Sequence, residues 1–167
     1  IMDASNEFTE GKRILIVDDE QAILNLLSRK LSMLGFDCDT EPDGLRAIHR
    51  IKSAFYDLVI LDVNMPYLDG PEMLLYLRRT DPDIPVVMIS GMDSIDMVRK
   101  TLREGAYDYL VKPLNFDELE LSIRRALQHG HLSRQIKQYQ RDLEKQVAER
   151  TKELAEALDK INKTYDA

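Results

Sequence analysis

The chain has no tryptophan, one cysteine, seven glycines and six prolines among its 167 residues. A single cysteine, Cys38, cannot form an internal disulfide, which excludes a disulfide-stapled scaffold and fits a reducing compartment. Cys38 itself reads as a small core residue beside the second strand. No apolar run approaches the roughly 20 residues that span a bilayer, and no signal-peptide pattern precedes the first apolar run. A membrane partner is therefore not expected, and a cytoplasmic location is. An excess of basic residues is also missing: the net charge of -7 argues against nucleic acid as a direct partner of this segment. The three histidines, His49, His129 and His131, have no acids or cysteines at ligand spacing, so they read as solvated helix residues rather than metal ligands. What remains is ordinary for a soluble chain with a rather charged surface, at 44% hydrophobic and 32% charged residues. The length allows one domain with an appended element.

Short apolar runs alternate with amphipathic stretches. Strands are predicted over residues 13–17, 36–40, 57–61, 85–89 and 107–111. Helices are predicted over about 20–34, 44–54, 70–80, 93–104 and 115–129. Leu24, Leu27, Leu31 and Leu34 recur at helical spacing, and Gly35 follows as a C-terminal stop. Asp81-Pro82 and Ile84-Pro85 punctuate the approach to the fourth strand. Short runs of β-formers, each followed by a helix, indicate βαβ units and a parallel sheet. Right-handed crossovers then place helices on both faces, giving an α/β, doubly wound, three-layer domain.

Residues 1–11 show no period and read as a flexible leader before a domain at 12–129. The composition changes at about residue 130, where Gly130 lies between His129 and His131 and reads as a joint. Beyond it proline and glycine vanish, and Leu132, Ile136, Tyr139, Leu143, Val147, Leu154, Leu158, Ile161 and Tyr165 recur at spacings of three, four or seven. Residues 130–167 are thus expected to form a long amphipathic helix with coiled-coil character. Consecutive four-residue steps at Tyr139, Leu143 and Val147 form a stutter, which locally unwinds a supercoil. One narrow apolar stripe must bury itself against something, and a second copy of the same helix is the expected partner.

Three carboxylates carry the chemistry. Asp18 and Asp19 follow Arg13-Ile14-Leu15-Ile16-Val17, and Asp62 follows Asp57-Leu58-Val59-Ile60-Leu61. Parallel strands deliver all three to the carboxyl edge of the sheet, where they repel one another strongly unless a divalent cation sits between them. Ser90 ends the fourth strand and Lys112 the fifth, with Pro113 next. Asp18 and Asp19 can hold Mg²⁺ by oxygen, and Asp62 can act as an oxygen nucleophile toward phosphorus. Lys112 can neutralise phosphoryl oxygens and Ser90 can donate a hydroxyl, which suits a reaction that needs mainly positioning and charge neutralisation.

Here the chain resembles the receiver domain of two-component response regulators. The segments that carry the resemblance are Ile14 to Glu20, Leu61-Asp62-Val63-Asn64-Met65-Pro66 with Asp69-Gly70, Ile89-Ser90-Gly91, and Gly105 to Pro113. It covers about residues 12–129 and implies a flavodoxin-like fold with strand order 2-1-3-4-5. It implies that Asp62 accepts a phosphoryl group from a histidine kinase or phosphotransfer protein. By the same resemblance, Asp19 and Asp62 ligate Mg²⁺ (or Mn²⁺) directly, Asp18 does so mainly through water, and the Asn64 carbonyl completes the set. Ser90 and Lys112 are implied to contact the phosphoryl oxygens, and the Lys112-Pro113 bond to be cis.

The resemblance also implies a switch: Ser90 moves toward the phosphoryl group and Tyr109 turns inward, repacking the surface of the fourth helix, fifth strand and fifth helix. Ser90 stands where threonine is commoner, and Asn64 and Met92 lie where the family tunes phosphoaspartate lifetime. The chain is thus expected to be a regulatory phosphoacceptor, not an enzyme beyond its own phosphorylation and dephosphorylation. A Mg²⁺-dependent aspartyl-phosphate phosphatase fits less well, because such enzymes generally carry the nucleophile on the first strand with a second acid two residues later. A degenerate receiver serving only as a dimer scaffold is disfavoured by the intact acceptor set. Val147 to Leu154 resembles linkers that join receivers to outputs, and the pattern stops mid-stride at Tyr165-Asp166-Ala167. A parallel homodimer through the C-terminal helix, driving an output domain of a longer chain, is the expected architecture.

Overall fold

A computed structural model describes residues 9–91 and 94–166. Within them lie five strands: β1 (Arg13–Val17), β2 (Asp37–Glu41), β3 (Leu58–Asp62), β4 (Val86–Ser90) and β5 (Asp108–Val111). Between them run α1 (Gln21–Met33), α2 (Gly44–Ser53), α3 (Gly70–Thr80) and α4 (Ile95–Arg103), and α5 (Phe116–Tyr165) follows β5. All four strand pairings are parallel, in the order β2-β1-β3-β4-β5. This is the doubly wound fold expected from the alternation of runs.

Period-two geometry explains why runs apolar at every residue build the sheet. Leu15, Val17, Val59, Leu61, Val86, Met88 and Tyr109 face one layer, where Met73, Leu74 and Leu77 of α3 and Ala47 of α2 cover them. Their strand neighbours Ile14, Ile16, Leu58, Ile60, Val87, Ile89 and Leu110 face the other, against Leu24, Leu27 and Leu31 of α1 and Leu119, Ile123, Ala126 and Leu127 of α5. The strands β1, β3 and β4 are thus buried on both sides. Three helix starts are fixed by side chains: Asp43 accepts from the Arg46 amide at 2.8 Å, Asp69 from the Glu72 amide at 2.9 Å, and Asn115 from the Asp117 and Glu118 amides at 3.0 and 3.2 Å.

The structure shifts several expected boundaries. β2 runs Asp37–Glu41 rather than 36–40, because Phe36 is a buried plug ahead of the strand. β3 and β4 each extend one residue past the last apolar position: Asp62 pairs with Ile89, and Ser90 with Val111. Ladder bonding, not hydrophobicity, decides where these strands end. α5 continues through Gly130 where the composition suggested a joint. The chain divides into two compact units, the first ending at Gly130 and the second running His131–Ala167. In the second unit the stripe Leu132, Ile136, Tyr139, Leu143, Val147, Leu154, Leu158, Ile161 and Tyr165 is exposed throughout.

Of the expected leader, residues 1–8 lie outside the described residues. Thr9 is buried, and the Gly11 amide donates to the Gly35 carbonyl. No helix among the described residues is long and apolar enough to cross a membrane.

Candidate functional site

The carboxyl edge of the sheet gathers the acids because β1 and β3 are neighbours in register. Val17 pairs with Leu61, so the chain leaves both strands side by side, at Asp18 and Asp62. Asp18, Asp19 and Asp62 place carboxylate oxygens within 4.8 Å of one another. Asp18 and Asp62 are buried, while Asp19 is exposed and closes the cluster from the solvent side.

Burial and crowding set the electrostatics. Loss of water raises the Asp62 carboxyl to about 7, with the Asp18 charge pushing the same way and the Lys112 ammonium opposing both. Asp18 is raised too, chiefly by burial, and is held down in part by the Glu20 amide and Lys112. Its Oδ1 accepts the Glu20 amide at 2.8 Å. Its Oδ2 is buried and meets the Lys112 ammonium at 3.1 Å, as an ion pair without the alignment of a hydrogen bond. Lys112 Nζ also lies 3.1 Å from Glu20 Oε1 and 3.7 Å from Asp62 Oδ1. Three carboxylates, of Asp18, Glu20 and Asp62, therefore face one ammonium.

Such a donor set fits a divalent cation. The oxygens are hard, three converge within reach of one ion, and a buried carboxylate oxygen has lone pairs left uncommitted. Asp18, Asp19 and Asp62 are the residues that would hold it. Asn64, expected to add a carbonyl, is exposed two residues beyond Asp62.

The other expected residues fall around this edge. Ser90 is fully buried as the last residue of β4, and its carbonyl accepts the Lys112 amide at 2.7 Å. The Lys112-Pro113 peptide is cis. Tyr109 is only 8% exposed and sits within the core layer that includes Met88 and Ala106. Met92 lies outside the described residues.

The loop after Asp62 is tightly folded. The Gly70 amide donates to the Val63 carbonyl at 3.0 Å, and a Cβ on Gly70 would stand 2.4 Å from the Asp62 carbonyl oxygen. Only glycine allows α3 to start this close to the strand end. Tyr67 bridges the loop at φ 69°, the one non-glycine positive φ among the described residues, with a 2.9 Å bond from the Leu68 amide to the Pro66 carbonyl. Glu20 and Tyr67 were given no role by sequence reasoning. Glu20 sits next to the acid pair, but nothing in the sequence puts it beside a lysine 92 residues away.

Comparison with known proteins decides the family. The family model described as the response regulator receiver domain matches residues 14–124. The chain belongs to the response regulator receiver family. Among curated relatives, it is 37% identical over 120 residues to the transcriptional regulatory protein ZraR of Klebsiella oxytoca, covering 72% of this chain and 27% of that protein. It is 39% identical over 115 residues to the transcriptional regulatory protein PrrA of Mycobacterium leprae, covering 69% of this chain and 49% of that protein. The chain thus spans between about a quarter and a half of these relatives. Among solved structures, the Francisella response regulator 1452 receiver domain matches with a TM-score of 0.68 at 32% identity, covering 71% of this chain and 98% of that one. The receiver domain of an HD domain-containing protein from Pseudomonas fluorescens Pf-5 matches with a TM-score of 0.69 at 32% identity, covering 73% of this chain and 98% of that one.

Proposed function

We propose that this receiver accepts a phosphoryl group on Asp62 from a histidine kinase or phosphotransfer protein and passes the resulting change of shape along its C-terminal helix. The observation that supports it most is the convergence of Asp18, Asp19, Asp62 and Lys112 at one sheet edge. An Asp62 carboxylate oxygen attacks phosphorus; the O–P bond forms as the P–N bond of the donor phosphohistidine breaks, and the imidazole nitrogen that leaves takes up a proton. A bound Mg²⁺ or Mn²⁺ supplies positive charge to the phosphoryl oxygens. It would be held by Asp18, Asp19 and Asp62 with the Asn64 carbonyl.

The chain's own groups do the rest. Lys112, already 3.7 Å from Asp62 Oδ1, neutralises a phosphoryl oxygen, and the Ser90 hydroxyl donates to another. Ser90 and Tyr109 relay the change to α4, β5 and α5, where Ile95, Leu102, Val111 and Leu121 leave apolar surface exposed. In this reading residues 12–129 are the receiver and 130–167 a stalk that forms a parallel homodimer and leads to an output domain. ZraR and PrrA are named as transcriptional regulatory proteins, so an output that binds nucleic acid is compatible with an acidic receiver that does not.

Incubation with acetyl phosphate and Mg²⁺, followed by intact-mass measurement, tests the acceptor. The protein gains one phosphoryl mass and Asp62→Ala gains none. A gain in both proteins, or in neither, sinks the assignment.

A further inference from the structure

The residue that the phosphoacceptor reading leaves without a task is Glu20. Its side chain is 60% exposed, at the N-cap of α1, and makes no side-chain capping bond there. It reaches instead across the mouth of the site to Lys112 Nζ at 3.1 Å. Lys112 is drawn by two groups at equal distance: Glu20 at the rim, and Asp18 at the buried floor, also at 3.1 Å. Asp62 stands slightly farther off at 3.7 Å.

We propose that Glu20 is a positioning residue for Lys112, anchoring the ammonium at the rim so that a divalent cation can take the floor. The inference rests on the phosphoacceptor reading for its purpose, but not for its test. An ammonium and a divalent cation compete for the same buried Asp18 oxygen, and like charges at that separation repel strongly in a site shielded from water. As the cation enters, Lys112 must let go of Asp18. It has to stay close enough to Asp62 to meet a phosphoryl oxygen, yet far enough from the cation. Asp18, Asp19 and Asp62 are all committed to the cation by their geometry, so Glu20 is the carboxylate left to hold the lysine. Without it, Lys112 settles onto Asp18 and Asp62 and acts as a competitor for the cation rather than a partner of the phosphoryl group.

A double-mutant cycle on Mn²⁺ affinity, measured by calorimetry on the full chain in about 0.5 M KCl, tests this. The salt shortens the screening length to under about 5 Å, which suppresses any general pull of an exposed carboxylate on a cation. Glu20→Gln is expected to weaken Mn²⁺ binding by about threefold to tenfold in the parent protein. In a Lys112→Gln background the same change is expected to have less than about a twofold effect, because no ammonium is left to fall into the site. Equal weakening in both backgrounds overturns the proposal, since Glu20 would then act on the cation directly. No weakening in either overturns it as well.

A second measurement separates position from mere presence. With Mg²⁺ saturating, Glu20→Gln is expected to slow Asp62 phosphorylation by acetyl phosphate at least threefold, roughly what a lost ion pair at a half-exposed site is worth. Glu20→Asp, which keeps the charge, is expected to recover part of that loss. An unchanged rate in Glu20→Gln overturns the role in positioning. If the parent protein takes up no phosphoryl group at all, the phosphoacceptor reading fails, while the affinity cycle still judges the anchor on its own.

Discussion

Asp62 shows at the scale of one residue how function is stored as instability. Its carboxyl is raised to about 7 by burial and by Asp18, so near neutral pH the fold keeps a charge that it would rather neutralise. The sign follows from proton binding. Between the ordinary value of 3.8 and about 7 the folded state holds a proton that the unfolded chain has released. This group's contribution is fully present below the unfolded value and is lost as pH rises through about 7. Urea unfolding in the presence of a chelator should therefore show stability falling over that window. Asp62→Asn is expected to flatten the fall and to be more stable than the parent by about 1–2 kcal/mol near pH 7.5. A variant whose pH curve runs parallel to the parent's contradicts this. The same residue scale marks what a sequence can carry. Asp18, Asp62, Ser90 and Lys112 stand at strand ends that their own apolar runs announce. Glu20 depends on a partner that only the folded sheet brings near.

Among the elements, β2 departs most from the pattern of its neighbours. Its sequence Asp37-Cys38-Asp39-Thr40-Glu41 is polar because it is an edge strand, with β1 on one side only. Charge fixes its position. Asp39 takes Arg13 at 2.9 Å and the Tyr56 hydroxyl at 2.6 Å, while Arg50 reaches Glu41 at 2.6 Å and the Arg13 guanidinium lies over the Tyr56 ring. The Tyr56 hydroxyl bond, then Arg50 and Arg13, hold the Asp39 carboxyl below its usual range against some loss of water. A depressed carboxyl contributes stability above the unfolded value and loses it as pH falls through the folded one. Tyr56→Phe keeps the ring in the core and removes the hydroxyl, so a loss of about 0.5–1.5 kcal/mol is expected at neutral pH, shrinking below about pH 4. Thermal unfolding at the two pH values checks it; an equal loss at both would assign the effect to packing. The strands β1, β3 and β4 were legible because each carries four consecutive apolar residues, whereas β2 was legible mainly by its place after α1 and Gly35. Gly130 ends the first compact unit, yet α5 runs through it without interruption. Glycine costs a helix about 1 kcal/mol and so reads as a break. Here it lets α5 approach Pro85, whose Cδ would lie 3.1 Å from an added Cβ.

For the whole molecule, the second unit sets the unsolved demand. A helix this long gains little from propensity alone and needs a partner along its apolar stripe. From Val147 onward the repeat of four and three continues through Thr151, Leu154, Leu158, Ile161 and Tyr165, while Tyr139, Leu143, Val147 and Thr151 are spaced by four. That stutter relaxes the supercoil near Leu143–Val147 and makes the segment after it the better zipper. Flanking residues there are small, with Ala148, Ala155 and Ala157 beside the stripe. Ion pairs lie within the helix instead, as between Lys163 and Asp159 at 2.8 Å, and an exposed pair of that kind adds little. In the proposed dimer the seam, rather than the charges, would therefore hold the two copies together. Leu154→Glu with Leu158→Glu places like charges in that seam while leaving every receiver residue unchanged. Sedimentation equilibrium is expected to show a dimer for the parent and a monomer for the double variant. Circular dichroism should show less helix in the variant, since an unpartnered stripe has nothing to pay for its order. Acetyl phosphate should still load Asp62 in both under the proposed function, because Asp18, Asp19 and Asp62 converge within one chain. A parent that is monomeric with and without a phosphoryl group, or a variant that stays dimeric, removes the stalk as the dimer contact and leaves the exposed face of α4, β5 and α5 as the place to look.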